Sequence, residues 1–209
     1  MTGGVAREGW LDHLERLGQE LQSAGLKMKL VLLGSVPNIL QGQKGRTTID
    51  LDIWRPKSNF DATALRRATH QAGMLYDPKE VNEPNTPYIQ IVDVGIVQLG
   101  DFEPVKVETF GGLTLFRPPY ENLIASKLCR AEPQDLDDIN WMLATHSVDV
   151  AAIKKVIASF PRQQRETANE NLVFLSVVKG ADALPEVPSV PKKPADGGYG
   201  GPGGKPRIV

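Results

Sequence analysis

The stretch from Leu30 to Trp54 constrains this 209-residue chain more than any other. An apolar run, Leu30 to Leu33, ends at Gly34-Ser35, and a second strand-like run, Ile49 to Trp54, carries Asp50 and Asp52. Side chains alternate along a strand, so Ile49, Leu51 and Ile53 share one face while Asp50 and Asp52 share the other. Two carboxylates that close repel each other unless they are solvated, share a proton or bind a cation. Hard oxygen ligands suit Mg²⁺, which takes one or two carboxylates together with substrate phosphates. A half-buried strand with a wet acidic face has the same spacing, so the neighbouring residues decide between the readings. Gly34 lets a ligand approach the backbone, and Ser35 offers a hydroxyl and an N-cap for the helical turn expected behind it. Helix N-termini attract phosphate, and Lys44, Arg46, Thr47 and Thr48 add donors for an anion. The residues favour a Mg-phosphate site.

Gly34-Ser35, Arg46-Thr47 and Asp50-Leu51-Asp52 together resemble the signature of the minimal nucleotidyltransferases of the polymerase-β-like superfamily, in which a Gly-Ser pair precedes an Asp-x-Asp strand. A later segment with Lys127, Arg130, Asp135 and Asp138 is closest to the AbiEii/MenT-like group, which are toxin halves of bacterial toxin-antitoxin pairs, and its uncharacterised relatives. The resemblance covers about residues 10 to 180. It implies Mg²⁺ held by Asp50 and Asp52, an NTP substrate seated by Gly34, Ser35, Arg46 and Thr47, and transfer of a nucleoside monophosphate with release of pyrophosphate. The acceptor would be an RNA, such as a tRNA end, or a protein hydroxyl, and a cognate antitoxin would be the partner. A noncatalytic nucleotide- or protein-binding module on the same scaffold is the alternative.

In the same superfamily a third carboxylate on a neighbouring strand commonly completes the pair, as a metal ligand or as base toward the acceptor. Asp93 is the residue expected there. It interrupts the run IQIVDVGIV, within a strand expected over Tyr88 to Leu99, and a charge inside an apolar run is costly unless paired or liganded. Glu108, in VKVETF, is the reserve.

The helix expected over Tyr120 to Arg130 places Leu123, Lys127 and Arg130 on one stripe, and the next, Asp135 to Thr145, carries Asp135 and Asp138 one turn apart. Salt bridges joining two consecutive helices would explain this pattern, at about 0–1 kcal/mol each if exposed. The resemblance implies more, with Lys127 stabilising charge on the phosphates and Arg130, Asp135 and Asp138 lining the nucleotide pocket. Gln134 departs from the family pattern, which often has a basic residue there. Cys129 reads as a small buried helix residue rather than a reactive thiol.

The expected fold is α/β: a small mixed sheet of about five strands with helices on one face, then a mostly helical C-terminal half. Residues 1–118 form the core in this reading, 119–180 a helical part packed on it, and 181–209 a disordered tail, since glycine and proline each occur six times there. Helices are expected over 7–25, 36–40 and 59–73, a loop over 76–87, and a hairpin turning at Gly111-Gly112. Two further helices are expected over 149–160 and 162–179. A net charge of -1 gives no global field for nucleic acid. No apolar run is long enough to span a membrane and no leader is apparent, so a cytoplasmic location is expected.

Overall fold

A computed structural model of the chain describes residues 4–78 and 86–179. The tail expected over 181–209 lies outside the described residues, as does the middle of the loop expected over 76–87.

Helix α1 (Arg7–Ser23) turns the spacing of Trp10, Leu14, Leu17 and Leu21 into a stripe with no solvent exposure. It lies on the hairpin of β5 (Val105–Phe110) and β6 (Leu113–Arg117), where Gly18 makes the approach possible. A β-carbon on Gly18 would stand 2.0 Å from the Phe110 carbonyl oxygen, and the Gly18 carbonyl accepts from the Gly112 amide at 2.9 Å. His13, one turn from Trp10, is half-buried, and its Nδ1 lies 3.1 Å from the Ala72 carbonyl. The α1 face toward α3 (Ala62–Gln71) is therefore partly polar.

Strand β1 (Met28–Val31) pairs parallel with β6, giving the order β1-β6-β5 with the hairpin antiparallel. The second sheet, β2-β4-β3, is parallel, with β2 at Asp50–Trp54, β3 at Leu75–Tyr76 and β4 at Tyr88–Val92. The two sheets touch where β1 ends: Leu32 bridges Ile53, and the Leu33 amide donates to the Asp52 carbonyl at 2.9 Å. This junction brings Gly34 beside Asp52. The architecture is the expected α/β one, with the strands split between two small sheets meeting at one bridge.

A short helix α2 (Val36–Leu40) follows Gly34-Ser35. Beyond Arg117 the chain is helical: α4 (Tyr120–Leu128), α5 (Pro133–Thr145), α6 (Val150–Ala158), α7 (Arg162–Glu170) and α8 (Val173–Lys179). The last two were expected as one helix, but the chain breaks at Asn171-Leu172, where the Asn171 Nδ2 donates to the Leu128 carbonyl at 2.8 Å. These helices close a second core that takes Val31, Leu33, Trp54 and Val92 from the strand region.

The strand expected over Tyr88 to Leu99 stops at Val92. Residues 93–96 make a turn, with Gly95 at φ +94 and the Ile96 amide donating to the Asp93 carbonyl at 3.4 Å. Val94 and Ile96 are 77% and 67% exposed, so the apolar run is no guide to burial here.

Candidate active site

Asp50 and Asp52 stand on one face of β2, as the alternation requires, while Leu51 and Ile53 are fully buried on the other. Both carboxylates line a cleft of about 420 Å³ together with Gly34, Gln90, Lys127 and Arg130. Burial, and then the charge of Asp50, push the Asp52 carboxyl up to about 6 from 3.8, with Arg130 and Lys127 pulling the other way. Asp50 also accepts a hydrogen bond from the Thr48 hydroxyl. Gly34 sits at φ +64, and a β-carbon on it would lie 2.6 Å from the Asp52 Oδ2. Only glycine fits this corner.

The parallel register of β2 and β4 decides what stands next to the pair. Tyr88 lies beside Asp50, Gln90 beside Asp52 and Val92 beside Trp54. Partners in such a ladder share a face, so the place where a third carboxylate would complete the pair holds the amide of Gln90. Asp93 differs from Gln90 by an odd number of positions, lies past the end of β4, is exposed and does not line the cleft. Glu108 is exposed on β5, in the other sheet, where it accepts from the Thr109 amide at 3.0 Å. The expectation that Asp93 joins Asp50 and Asp52 is therefore corrected: the chain leaves the strand before reaching it.

Lys127 enters the cleft wall from α4 with only 6% exposure. Its Nζ donates to Asp138 Oδ2 at 2.7 Å and to Asp135 Oδ1 at 3.1 Å. Asp135 also takes both the Nε and an Nη of Arg130, at 3.1 and 2.9 Å, a two-pronged clasp that fixes that guanidinium. Asp138, wholly buried, is the centre of a wider net. It accepts from the Ser35 hydroxyl at 2.8 Å, Gln43 Nε2 at 3.0 Å and Arg46 Nε at 3.1 Å, in addition to Lys127. Burial alone would raise its carboxyl, but Lys127, Ser35 and Arg46 together hold it below the ordinary carboxylate range.

The predicted residues thus fall into layers. Gly34, Asp50, Asp52, Lys127 and Arg130 line the cleft. Ser35, Asp135 and Asp138 are buried and brace that lining. The Ser35 hydroxyl does not cap α2 but is turned to Asp138, and it accepts from an Nη of Arg46 at 2.6 Å. Arg46 is committed to this net, with further contacts to the Gln134 amide oxygen at 3.4 Å and the Thr47 carbonyl at 3.0 Å. Gln134 thereby meets Arg46, where a basic residue would repel it. Thr47 itself is exposed and lines a separate depression beside the start of α1. Cys129, also at the cleft wall, is half-buried, and burial pushes its thiol up to about 11, which keeps it an unreactive wall group.

The family model described as nucleotidyltransferase of unknown function (DUF6036) matches residues 11–175. The chain belongs to that family. No curated protein and no solved structure matches it. The match takes in β1, β2, β4 and every helix from α2 to α7, and so contains the whole cleft. Membership supports a general role in nucleotidyl transfer. Among the described residues no helix is long and apolar enough to cross a membrane.

Three residues in or behind this cleft have no signal in the local sequence. Gln90 is placed by a pairing between strands more than thirty positions apart. Gln43 lies in what reads as a polar loop, yet it is 8% exposed and bonded to Asp138. Gln164 enters the lining from α7, which reads as an ordinary surface helix.

Proposed function

We propose that this protein is a Mg²⁺-dependent nucleotidyltransferase that moves a nucleoside monophosphate from an NTP to an RNA, such as a tRNA end, or to a protein hydroxyl. The observation that carries the reading is the Asp50-Asp52 pair, which lines one cleft with Gly34, Lys127 and Arg130. The donor set fits the metal. Two neighbouring carboxylates, one of them raised by burial and then by the charge of the other, are the ligands Mg²⁺ takes when phosphates complete its shell. When bound there, Mg²⁺ would neutralise charge on the phosphate oxygens.

The chain's own groups do the rest. Gly34 lets the Asp52 carboxylate close against the backbone at the mouth of the Gly-Ser turn. Lys127, anchored by Asp135 and Asp138, holds a positive charge where negative charge develops, and Arg130 adds a second. Such prepositioned charges cost no reorganisation during the reaction. Asp138 and Ser35 position Lys127 and the Gly34 corner, with Arg46 behind them. Resemblance to the AbiEii/MenT-like group supports a role as the toxin of a toxin-antitoxin or phage-defence pair, with a cognate antitoxin as partner.

One observation favours a second reading. Gln90 occupies the position of a third carboxylate, and an amide there neither accepts a proton from an acceptor nor adds charge for a second metal. A noncatalytic nucleotide-binding module would tolerate this. Incubation of the protein with each α-³²P-labelled NTP, Mg²⁺ and total RNA and protein decides between them. Label transferred by the native chain and lost in Asp50→Ala/Asp52→Ala establishes the transferase and shows which class of acceptor carries the label. Nucleotide binding without transfer establishes the module.

A further inference from the structure

The cleft is divided by charge. Its ionised lining, Asp50, Asp52, Lys127 and Arg130, comes from β2 and the end of α4, whereas the segment 95–99 and α7 contribute only neutral groups. A nucleoside triphosphate is divided in the same way, with all its charge on the phosphates and an uncharged base at neutral pH. We infer that the neutral wall seats the nucleobase, and that the side-chain amides of Gln98 and Gln164 read its edge. The inference rests on the nucleotidyltransferase reading only in taking an NTP as the ligand.

Three features support it. The volume, about 420 Å³, lies within the range of roughly 300–1,000 Å³ common for small-molecule sites. Among the described residues no aromatic ring lines the cleft, so a base there rests on aliphatic surface, Val97 and Leu123, and is distinguished by hydrogen bonds rather than by stacking. A primary amide offers an acceptor and two donors side by side, the pattern that pairs with a base edge, and among the described residues neither amide has a hydrogen-bond partner.

The wall is also held in place before any ligand arrives. Asn122, buried in α4, donates to the Leu99 and Asp101 carbonyls at 2.7 and 3.2 Å and so fastens the 95–101 segment to the same helix that carries Lys127. The Cys129 thiol lies 3.8 Å from the Gln164 carbonyl and ties α7 to the other end of that helix. Readers held by fixed elements discriminate better than readers on a free loop, since less ordering accompanies binding.

Calorimetric titration of the full chain, in Mg²⁺, with each of the four NTPs and with inorganic tripolyphosphate tests this. One NTP should bind about 10-fold or more tighter than tripolyphosphate. Gln98→Leu and Gln164→Leu should each lower that preference by about 3- to 10-fold while leaving tripolyphosphate affinity unchanged, with Gln→Asn losing less. Both side chains are partly exposed, and unchanged melting temperatures verify that the variants fold. Tripolyphosphate binding as tight as the best NTP overturns the inference, and so does a variant that weakens tripolyphosphate and NTP equally. Base-dependent binding with no label transfer retires the transferase and keeps the base site. Transfer with no base preference does the reverse, and a chain that binds neither ligand retires both.

Discussion

Gly34 and Asp52 meet so closely that a β-carbon on the glycine would stand 2.6 Å from the carboxylate oxygen. The contact follows from the Leu33-Asp52 backbone bond that joins the two sheets. Gly34→Ala both places a side chain at φ +64, at a cost of roughly 1–2 kcal/mol, and pushes Asp52 off its position. Label transfer should fall by about 100-fold or more, because a misplacement near 1 Å in a reacting constellation costs that much. Single-turnover assays on a variant verified as folded by circular dichroism measure it.

Asp52 binds its proton more tightly in the folded chain than in the unfolded one, with its carboxyl pushed up from 3.8 to about 6. The folded state is favoured by that proton below pH 3.8, and the advantage is lost as pH rises through about 6. At neutral pH the ionised group therefore destabilises the metal-free fold, by about 2–3 kcal/mol at roughly 1.4 kcal/mol per tenfold change in proton affinity. Asp52→Asn should melt higher than the native chain at pH 7.5 in EDTA and lose that margin near pH 4. Melts at the two pH values, with and without Mg-nucleotide, show whether the ligand removes the difference.

Removing Asp138 takes an acceptor from four buried or half-buried donors at once, Lys127, Arg46, Ser35 and Gln43. Asp138→Ala should cost about 3–5 kcal/mol in urea unfolding, the range for a buried pair broken on one side. Adding Lys127→Met should recover part of that loss, since the stranded ammonium is then gone. Strictly additive losses would show that the two residues do not act as a unit.

Gln90 beside Asp52 is a position at which function can be gained. Gln90→Asp would place three carboxylates on one face. It should strengthen Mg²⁺ binding by about 10-fold, read by titration with the metal alone, and lower stability in EDTA through like-charge repulsion. A rise in transfer rate would show that the native site lacks a base. An unchanged rate would show that the acceptor needs none.

The parts of this molecule that follow from local spacing were legible in its sequence. The face shared by Asp50 and Asp52, the buried stripe of Trp10, Leu14, Leu17 and Leu21, and the turn at Gly111-Gly112 all depend on neighbours a few positions away. What depends on distant pairing was not. Asp93 looked buried because Val92, Val94 and Ile96 are apolar, yet only Val92 is covered, and Gly95 turns the chain out of the sheet. Asp135 and Asp138 read either as salt-bridge partners of the preceding helix or as pocket lining, and they bond Lys127 and Arg130 behind the cleft. Nothing near them indicates that Asp138 reaches Ser35 across 103 positions and Arg46 across 92. The roles of Ser35 and Arg46 shifted for the same reason, from contacts proposed for a phosphate to contacts with an aspartate from the other end of the chain.

The net centred on Asp138 also bears on how this protein can be inherited. It fastens α5 to the turn after β1 and to the loop before β2, so the helices beyond Arg117 are not a cassette that recombination can exchange. A crossover at that point would give one parent's Lys127 to the other's Gly-Ser turn, and only a matched carboxylate would hold both. Sequence drift in the two halves is thereby coupled, and hybrid genes spliced near residue 118 should fail even when each half comes from a working protein.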